Sequence, residues 1–168
     1  MSVEAAPLDR PAGGIWLFVA TANLPTLGAL QRMSLGIRVL HSMVDVATLE
    51  AFAAAWNRHD IDALMGFMAD DCVFHAVAGP ELFGRSFVGR AAVREGFQLA
   101  WQTIPDAAWL DGEHFVAGDR GVSESTFKGT KADGTRIEAR MVDVFTFRGG
   151  KIAVKNAYRK DRPPLKTG

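Results

Sequence analysis

The spacing of apolar residues along the chain changes once, near Pro105. Before it, apolar side chains recur every three or four residues, which is the period of a helix; after it, they alternate with polar side chains, as in a strand. The first part of the pattern predicts helices over 45–60, 60–71 and 89–106, a strand over 72–79 and a glycine-rich loop over 79–89. The second part predicts strands over about 107–117, 120–130, 135–148 and 150–159. Helices followed by an antiparallel meander predict an α+β fold, with the helices on one face of a curved sheet.

The first 45 residues lack this regular pattern. Their apolar stretch, IWLFVATANLPTLGAL at 15–30, is shorter than the roughly 20 residues that a membrane helix needs. We therefore expect residues 1–45 to be a weakly structured extension, with Met33 and Met43 as alternative translation starts. A cleaved signal peptide or membrane anchor is the other interpretation, although the charged region before the stretch is weak.

The remaining chain predicts one domain over 46–160, followed by a flexible tail over 161–168. Nineteen basic and 19 acidic residues give a formal net charge of zero, which argues against a nucleic-acid binder held by phosphate contacts. The single cysteine, Cys72, excludes an intramolecular disulfide, so the cytoplasm is the simplest location.

One carboxylate interrupts an otherwise apolar strand face. In the stretch RMVDVFTFR, side-chain alternation predicts that Asp143 shares a face with Met141, Phe145 and Phe147. A carboxylate there is costly unless it is paired or hydrogen-bonded. The functional interpretation is a pocket residue that donates or accepts a proton near neutral pH. The structural alternative is hydrogen bonding to a neighbouring strand residue such as Asn156 or Tyr158, or pairing with an arginine.

Three further polar residues are candidates for the site. Asn156 and Tyr158 are predicted to share one face of the last strand with Ile152 and Val154, at a pocket mouth. His75 is a weaker candidate, because alternation turns it away from the pocket if Ala76 faces inward. The predicted ligand-binding wall is apolar: Phe52, Trp56, Phe67, Phe74, Phe83, Phe97, Trp101, Met141 and Phe145.

The sequence contains no G-x-G-x-x-G, P-loop, H-E-x-x-H or G-x-S-x-G motif. We therefore expect no cofactor and no metal.

Four segments carry a resemblance to a known superfamily: FAAAWNRHDIDALMGFMADDCVFHA, FVGRAAVREGF, IPDAAW and DVFTFRGGKIAVKNAY. Over about 46–160, they resemble the nuclear transport factor 2-like superfamily, also called the SnoaL-like or ketosteroid isomerase-like group. The resemblance implies a cone: a curved, mixed and mostly antiparallel sheet wrapped around three N-terminal helices, with a deep pocket. It also implies a homodimer and a small-molecule ligand, but it does not specify a reaction.

The family's catalytic residues carry over incompletely. The resemblance aligns Phe52 with the oxyanion-binding tyrosine of ketosteroid isomerases, Ala76 with their base and Asp143 with their protonated aspartate. In SnoaL-like cyclases, a histidine partner aligns with Lys131. The WRD motif of limonene epoxide hydrolases reads KNA at 155–157, and His75 and His114 are the two candidates for a scytalone dehydratase-like site.

Two hypotheses follow from these residues. The first is a pocket protein for a small hydrophobic ligand that acts as a cofactor-free isomerase, cyclase, dehydratase or hydrolase, with Asp143 as acid or base and Tyr158 or Asn156 as its partner. The second is a non-catalytic ligand-binding or dimeric interaction module with the same pocket. The missing tyrosine and aspartate favour the second hypothesis, whereas the polar residue on an apolar strand face favours the first.

Overall fold

The computed structural model of the protein describes residues 43–163. The interpretations of the extension up to residue 42, and of the tail from residue 164, lie outside these residues. The described part contains three helices: α1 (Val46–Asn57), α2 (Ile61–Phe67) and α3 (Arg90–Thr103). It also contains six strands: β1 (Met68–His75), β2 (Ser86–Val88), β3 (Ala108–Ala117), β4 (Arg120–Thr130), β5 (Arg136–Arg148) and β6 (Lys151–Arg159). No helix within 43–163 is long and apolar enough to cross a membrane.

Side-chain caps define where the first two helices begin. Asp45 accepts a hydrogen bond from the backbone N–H of Thr48 at 2.8 Å, and the Thr48 side chain completes a capping box. Asp60 accepts one from the backbone N–H of Ala63 at 3.0 Å. Each carboxylate satisfies a backbone donor that the first helical turn leaves free, so both helices begin with an aspartate cap.

The six strands form one sheet in the order β2-β1-β6-β5-β4-β3. Strands β3 to β6 are an antiparallel meander, as the alternating pattern predicted, while β1 lies parallel to β6. The α+β class is therefore confirmed, with a mixed and mostly antiparallel sheet.

Several boundaries differ from the predictions. The strand predicted over 72–79 is Met68–His75, and the helices predicted to end at 60 and 106 end at Asn57 and Thr103. The second helix ends at Phe67 rather than at residue 71, because Met68 pairs with Ile152 and draws the following residues into the sheet. Part of the predicted glycine-rich loop is the short strand β2, in which Phe87 pairs with Phe74. Three residues are too few for an alternating pattern to be recognised, so only the pairing with β1 identifies β2.

The core lies between the helices and one face of the sheet, which we call the inner face. The Phe52 ring on α1 makes edge contacts with the rings of Phe67, Phe97 and Phe145, with centroids 5.7 to 6.3 Å apart. Asn57, the last residue of α1, exchanges two hydrogen bonds of 2.8 Å with the backbone of Trp109. These contacts fix α1 against β3 and β5, and thereby shape the space between them.

Candidate functional site

Asp143 forms a buried ion pair with Lys155. Lys155 Nζ donates to Asp143 Oδ1 at 2.6 Å, and the two side chains are only 3% and 11% exposed. Asp143 pairs directly with Ala157 across β5 and β6, which makes Lys155 its diagonal neighbour on the inner face. The predicted inward position of Asp143 beside Met141, Phe145 and Phe147 is confirmed, because all four residues are buried.

The partner of Asp143 differs from each of the predicted ones. The structural interpretation named Asn156, Tyr158 or an arginine, but the carboxylate pairs with a lysine four residues from the strand end. The Lys155 ammonium also lies 5.1 Å from the ring centroid of Phe74 and 5.4 Å from that of Trp56. Aromatic faces favour a nearby cation, so the two rings and one carboxylate together compensate for the burial of the lysine.

Lys155 lies in the wall of an apolar cavity of about 340 Å³ between α3 and the inner face. We call it the apolar cavity. Its side chains come from α1, α3 and the loop before β2, as well as from the sheet. They include Trp56, Phe74, Phe87, Leu99, Trp109, Phe127 and Met141. The volume is in the range of small-molecule sites, and the wall joins apolar surface to a few polar groups, as such sites do.

Asp143 lines a second space, a small cavity of about 30 Å³ on the α1 side. His114, Ser123 and Ser125 line it too, and His114 Nδ1 lies 2.7 Å from Ser123 Oγ. Trp56 and Trp109 line both cavities. Lys155 is therefore the member of the ion pair that faces the apolar cavity, while Asp143 faces the small one.

The predicted ligand-binding residues divide into three groups. Trp56, Phe74 and Met141 line the apolar cavity, whereas Phe52 and Phe145, together with Trp56, line the small one. The remaining four, Phe67, Phe97, Trp101 and Phe83, line neither cavity. Phe97 is fully buried in the core. Phe83 is 56% exposed and packs against His75, so the apolar character of these residues did not distinguish cavity wall from core or surface.

Asn156 and Tyr158 lie on the opposite face of the sheet, which we call the outer face. Asn156 Nδ2 donates to Tyr158 Oη at 2.7 Å, and Tyr158 is 53% exposed. The prediction that they share a face with Ile152 is wrong. A register shift between Thr146 and Phe147 of β5, opposite Ile152 and Val154, breaks the alternation in β6, so Ile152 is buried and the later residues change sides.

His75 and His114 lie on different faces. Ala76 lines the apolar cavity, and His75 points away from it, with Nδ1 2.8 Å from Ser86 Oγ. The predicted orientation of His75 is confirmed. His114 is the histidine that reaches the inner face, next to Asp143 in the lining of the small cavity.

The sequence patterns missed Lys155 and Arg159 as cavity residues. Both alternate with Asn156 and Tyr158 along β6. A bulge in the preceding apolar residues changes which of these alternating side chains point to the inner face. The one available signal was Asp143 itself, because a buried carboxylate requires a partner and the next strand offers a lysine within diagonal reach. Within 43–163, no group of three or more His, Cys, Asp or Glu side chains is arranged to hold a metal ion.

Comparisons with known proteins agree with this architecture. Residues 49–155, more than half of the chain, match the SnoaL-like domain family. Among proteins of curated function, none matches the sequence. The chain belongs to the SnoaL-like domain family, and with it to the nuclear transport factor 2-like superfamily that its motifs resemble.

Solved structures with the same fold are distant in sequence. A candidate polyketide cyclase from Xanthomonas campestris pv. campestris is 24% identical, with a TM-score of 0.58 over 66% of this chain and 85% of that one. A protein with a ketosteroid isomerase-like fold from Catenulispora acidiphila, in complex with trimethylamine, is 22% identical, with a TM-score of 0.58 over 66% and 82%. An NTF2-like protein from Burkholderia pseudomallei is 20% identical, with a TM-score of 0.60 over 68% and 88%. At these identities, the likeness concerns the fold alone.

Proposed function

We propose that this SnoaL-like domain binds a small, largely apolar molecule in the apolar cavity. The observation that carries the proposal is the cavity itself: about 340 Å³, walled mostly by aromatic and aliphatic side chains, with Lys155 in its wall. An apolar ligand gains free energy by leaving water, and the few polar groups orient it. The distant relative that holds trimethylamine supports the view that this fold accommodates small molecules, without indicating which one this chain takes.

Binding of a neutral two-ring ketone, 2-acetylnaphthalene, tests this proposal. Trp56 and Trp109 line the cavity, so we expect a saturable change in tryptophan fluorescence when the ketone binds. In Ala100→Phe, a phenyl ring on α3 occupies cavity space, and we expect affinity to fall by about tenfold or more, since 1.4 kcal/mol corresponds to a factor of ten.

Ala91→Phe is the matched control for this experiment. Ala91 is on the same helix but exposed, so the same substitution there leaves the cavity unchanged. If the two variants bind the ketone with equal affinity, the ketone binds outside the cavity. If the wild-type protein binds none of a panel of ketones, phenols and lactones, the proposal is refuted.

A cofactor-free isomerase, cyclase, dehydratase or hydrolase is the second candidate function. The observation that favours it is the charged Lys155–Asp143 pair beside an apolar cavity, where a positioned ammonium could stabilise an enolate oxygen. In this form of the hypothesis, Lys155 contacts the ligand, and Asp143 is a positioning residue. A purely ligand-binding module remains the preferred function, because the tyrosine and the aspartate base of ketosteroid isomerases are replaced by Phe52 and Ala76.

Proton exchange distinguishes catalysis from binding alone. If the pair is catalytic, the Lys155 ammonium stabilises the enolate oxygen while solvent base removes a methyl-ketone proton, so the protein accelerates exchange of these protons of 2-acetylnaphthalene in D₂O, measured by proton NMR. Lys155→Met and Asp143→Asn would then each lower the rate by about a hundredfold, the scale of one electrostatic stabilising group. A rate equal to that of buffer, in protein that binds the ketone, would leave only the binding function.

We also propose that the protein is a homodimer formed through the outer face. Phe115, Val122, Val144 and Asn156 follow one another across β3, β4, β5 and β6, and Phe115 is 58% exposed. Apolar side chains grouped on an exposed sheet face commonly mark an interface, and a second copy of the chain offers the same surface. For location, a reducing compartment remains our proposal, because the single cysteine leaves no intramolecular disulfide to form.

A further inference from the structure

Four cationic side chains line the apolar cavity, and within 43–163 no carboxylate lines it. The cations are Arg85, Lys131, Lys155 and Arg159. Lys155 is neutralised by Asp143, which faces the small cavity instead. The other three have no carboxylate oxygen within 4.0 Å among the described residues. The cavity therefore has an excess of positive charge at its wall, although the whole chain has a formal net charge of zero.

Of the three cations that form no salt bridge among the described residues, Arg159 is the one held most closely within the wall. Its guanidinium lies 5.3 Å from the ring centroid of Phe127, another cavity residue, and the side chain is half-buried. Burial lowers the pKa of Arg159, and the nearby charge of Asp161 partly opposes this effect. Arg159 has thus lost part of its hydration without forming a salt bridge. Binding of an anion therefore stabilises such a cation more than it stabilises a fully hydrated one.

The positions of the cations fix where an anion would lie. Lys155 and Arg159 are both on the inner face of β6, four residues and therefore about 13 Å apart along the strand. Arg85 rests 4.8 Å from the centroid of Phe87 in the strand that faces α3. The neutralised Lys155 and the guanidinium of Arg159 are thus at separate points of the cavity wall along β6.

A buried donor in the wall also lacks an acceptor. The indole N–H of Trp56, which lines both cavities, has no hydrogen-bond partner among residues 43–163. Buried polar groups are normally satisfied, and an unpaired one costs free energy.

We infer that the ligand is an amphipathic anion: an aromatic or otherwise apolar body that carries a carboxylate or enolate, with the anionic group at Arg159. This inference rests on the proposed binding function and adds the charge of the ligand to it. Arg85 and Lys131 add positive charge to the same cavity wall, so an ammonium ligand is disfavoured there.

Three probes of matched shape test the charge of the ligand. Isothermal titration of the full chain with 2-naphthoate, 2-acetylnaphthalene and 2-(aminomethyl)naphthalene compares an anion, a neutral ketone and a cation on one ring system. We expect 2-naphthoate to bind about tenfold or more tightly than the ketone, as a hydrogen bond to a charged group allows, and the cation to bind most weakly. The preference should decrease at high salt, which screens the charges.

Arg159→Gln tests the assigned residue, and Arg120→Gln is its matched control. Arg120 is exposed at the start of β4 and lines no part of the cavity, but its replacement removes the same charge. We expect Arg159→Gln to lose most of the preference for 2-naphthoate and to keep the affinity for the ketone, while Arg120→Gln changes neither. Equal losses in the two variants would overturn the role of Arg159.

The outcomes separate this inference from the proposed function. If the wild-type protein binds 2-naphthoate and the ketone equally, the inference fails and the binding function stands. If it binds none of the three probes and none of the panel of ketones, phenols and lactones, the binding function fails as well. Should Arg159→Gln not fold, the order of the three wild-type affinities and their salt dependence still decide the question.

Discussion

At the scale of single residues, the ion pair between Lys155 and Asp143 explains why a carboxylate occupies an apolar strand face. Two buried charges are tolerated because each compensates the other at 2.6 Å, and because the rings of Trp56 and Phe74 lie beside the ammonium. Removing one partner leaves an unpaired buried charge, whereas removing both leaves none. We therefore expect the effects of the two single substitutions on the free energy of unfolding to be strongly non-additive.

A double-mutant cycle measures this coupling. We expect Asp143→Asn alone to lower the free energy of unfolding by about 3–5 kcal/mol, because the Lys155 ammonium stays buried without its partner. The double variant with Lys155→Met should lose much less than the sum of the two single losses. Urea denaturation of the four proteins gives the coupling energy.

The exposed pair of Arg140 and Glu124 provides the comparison. Arg140 Nη2 and Glu124 Oε2 are 3.1 Å apart, but the side chains are 46% and 52% exposed, so this is a surface salt bridge. The cycle of Glu124→Gln and Arg140→Met should yield at most about 1 kcal/mol. A coupling for Asp143 and Lys155 no larger than this would mean that the buried pair does not stabilise the sheet.

At the scale of elements, the contact between α3 and β2 depends on the absence of a side chain. Gly96 on α3 faces the ring of Phe87, and a Cβ atom at Gly96 would lie 2.7 Å from that ring. Both residues line the apolar cavity, so this contact also sets the position of one cavity wall. Helices normally disfavour glycine, and its presence here follows from close packing.

Two glycine substitutions separate packing from helix propensity. Gly96→Ala should lower the free energy of unfolding by about 1–3 kcal/mol, because Phe87 or α3 must move. Gly66→Ala, in α2, meets nothing within 4 Å and should raise it by about 0.5–1 kcal/mol. Thermal melts of both variants check the signs; a stabilised Gly96→Ala would show that Phe87 adjusts without cost.

At the scale of the whole molecule, we propose that residues from Met43 onward fold without the preceding extension. Val44 is 6% exposed and belongs to the core, two residues before the predicted domain start at 46. A protein that begins at Met43 should melt in one cooperative transition, close to that of the full chain. An unfolded truncated protein beside a folded full chain would show that the extension is part of the fold.

The proposed dimer makes a separate prediction. Val144 lies centrally on the outer face, and a buried glutamate there would be costly, so Val144→Glu should convert a two-chain species into a one-chain species. Val46→Glu is the control, because Val46 is 39% exposed in the first turn of α1, where an acidic side chain is favourable. Analytical ultracentrifugation at micromolar concentration measures the masses, and a wild-type mass of one chain would rule out the dimer.

The sequence by itself determined the elements, the fold class and the family, because these depend on local period, turn chemistry and short motifs. The four strands of the meander and the inward position of Asp143 could both be predicted from it. Only the tertiary structure decided the partner of Asp143 and the membership of the cavity. One bulge in β6 reverses which side chains face inward, so Lys155 and Arg159 reach the cavity and Asn156 and Tyr158 do not. A shift of one residue moves every later side chain of the strand to the other face of the sheet. The position of such a shift depends on how the strand pairs with its neighbours, and the local sequence pattern does not contain this information.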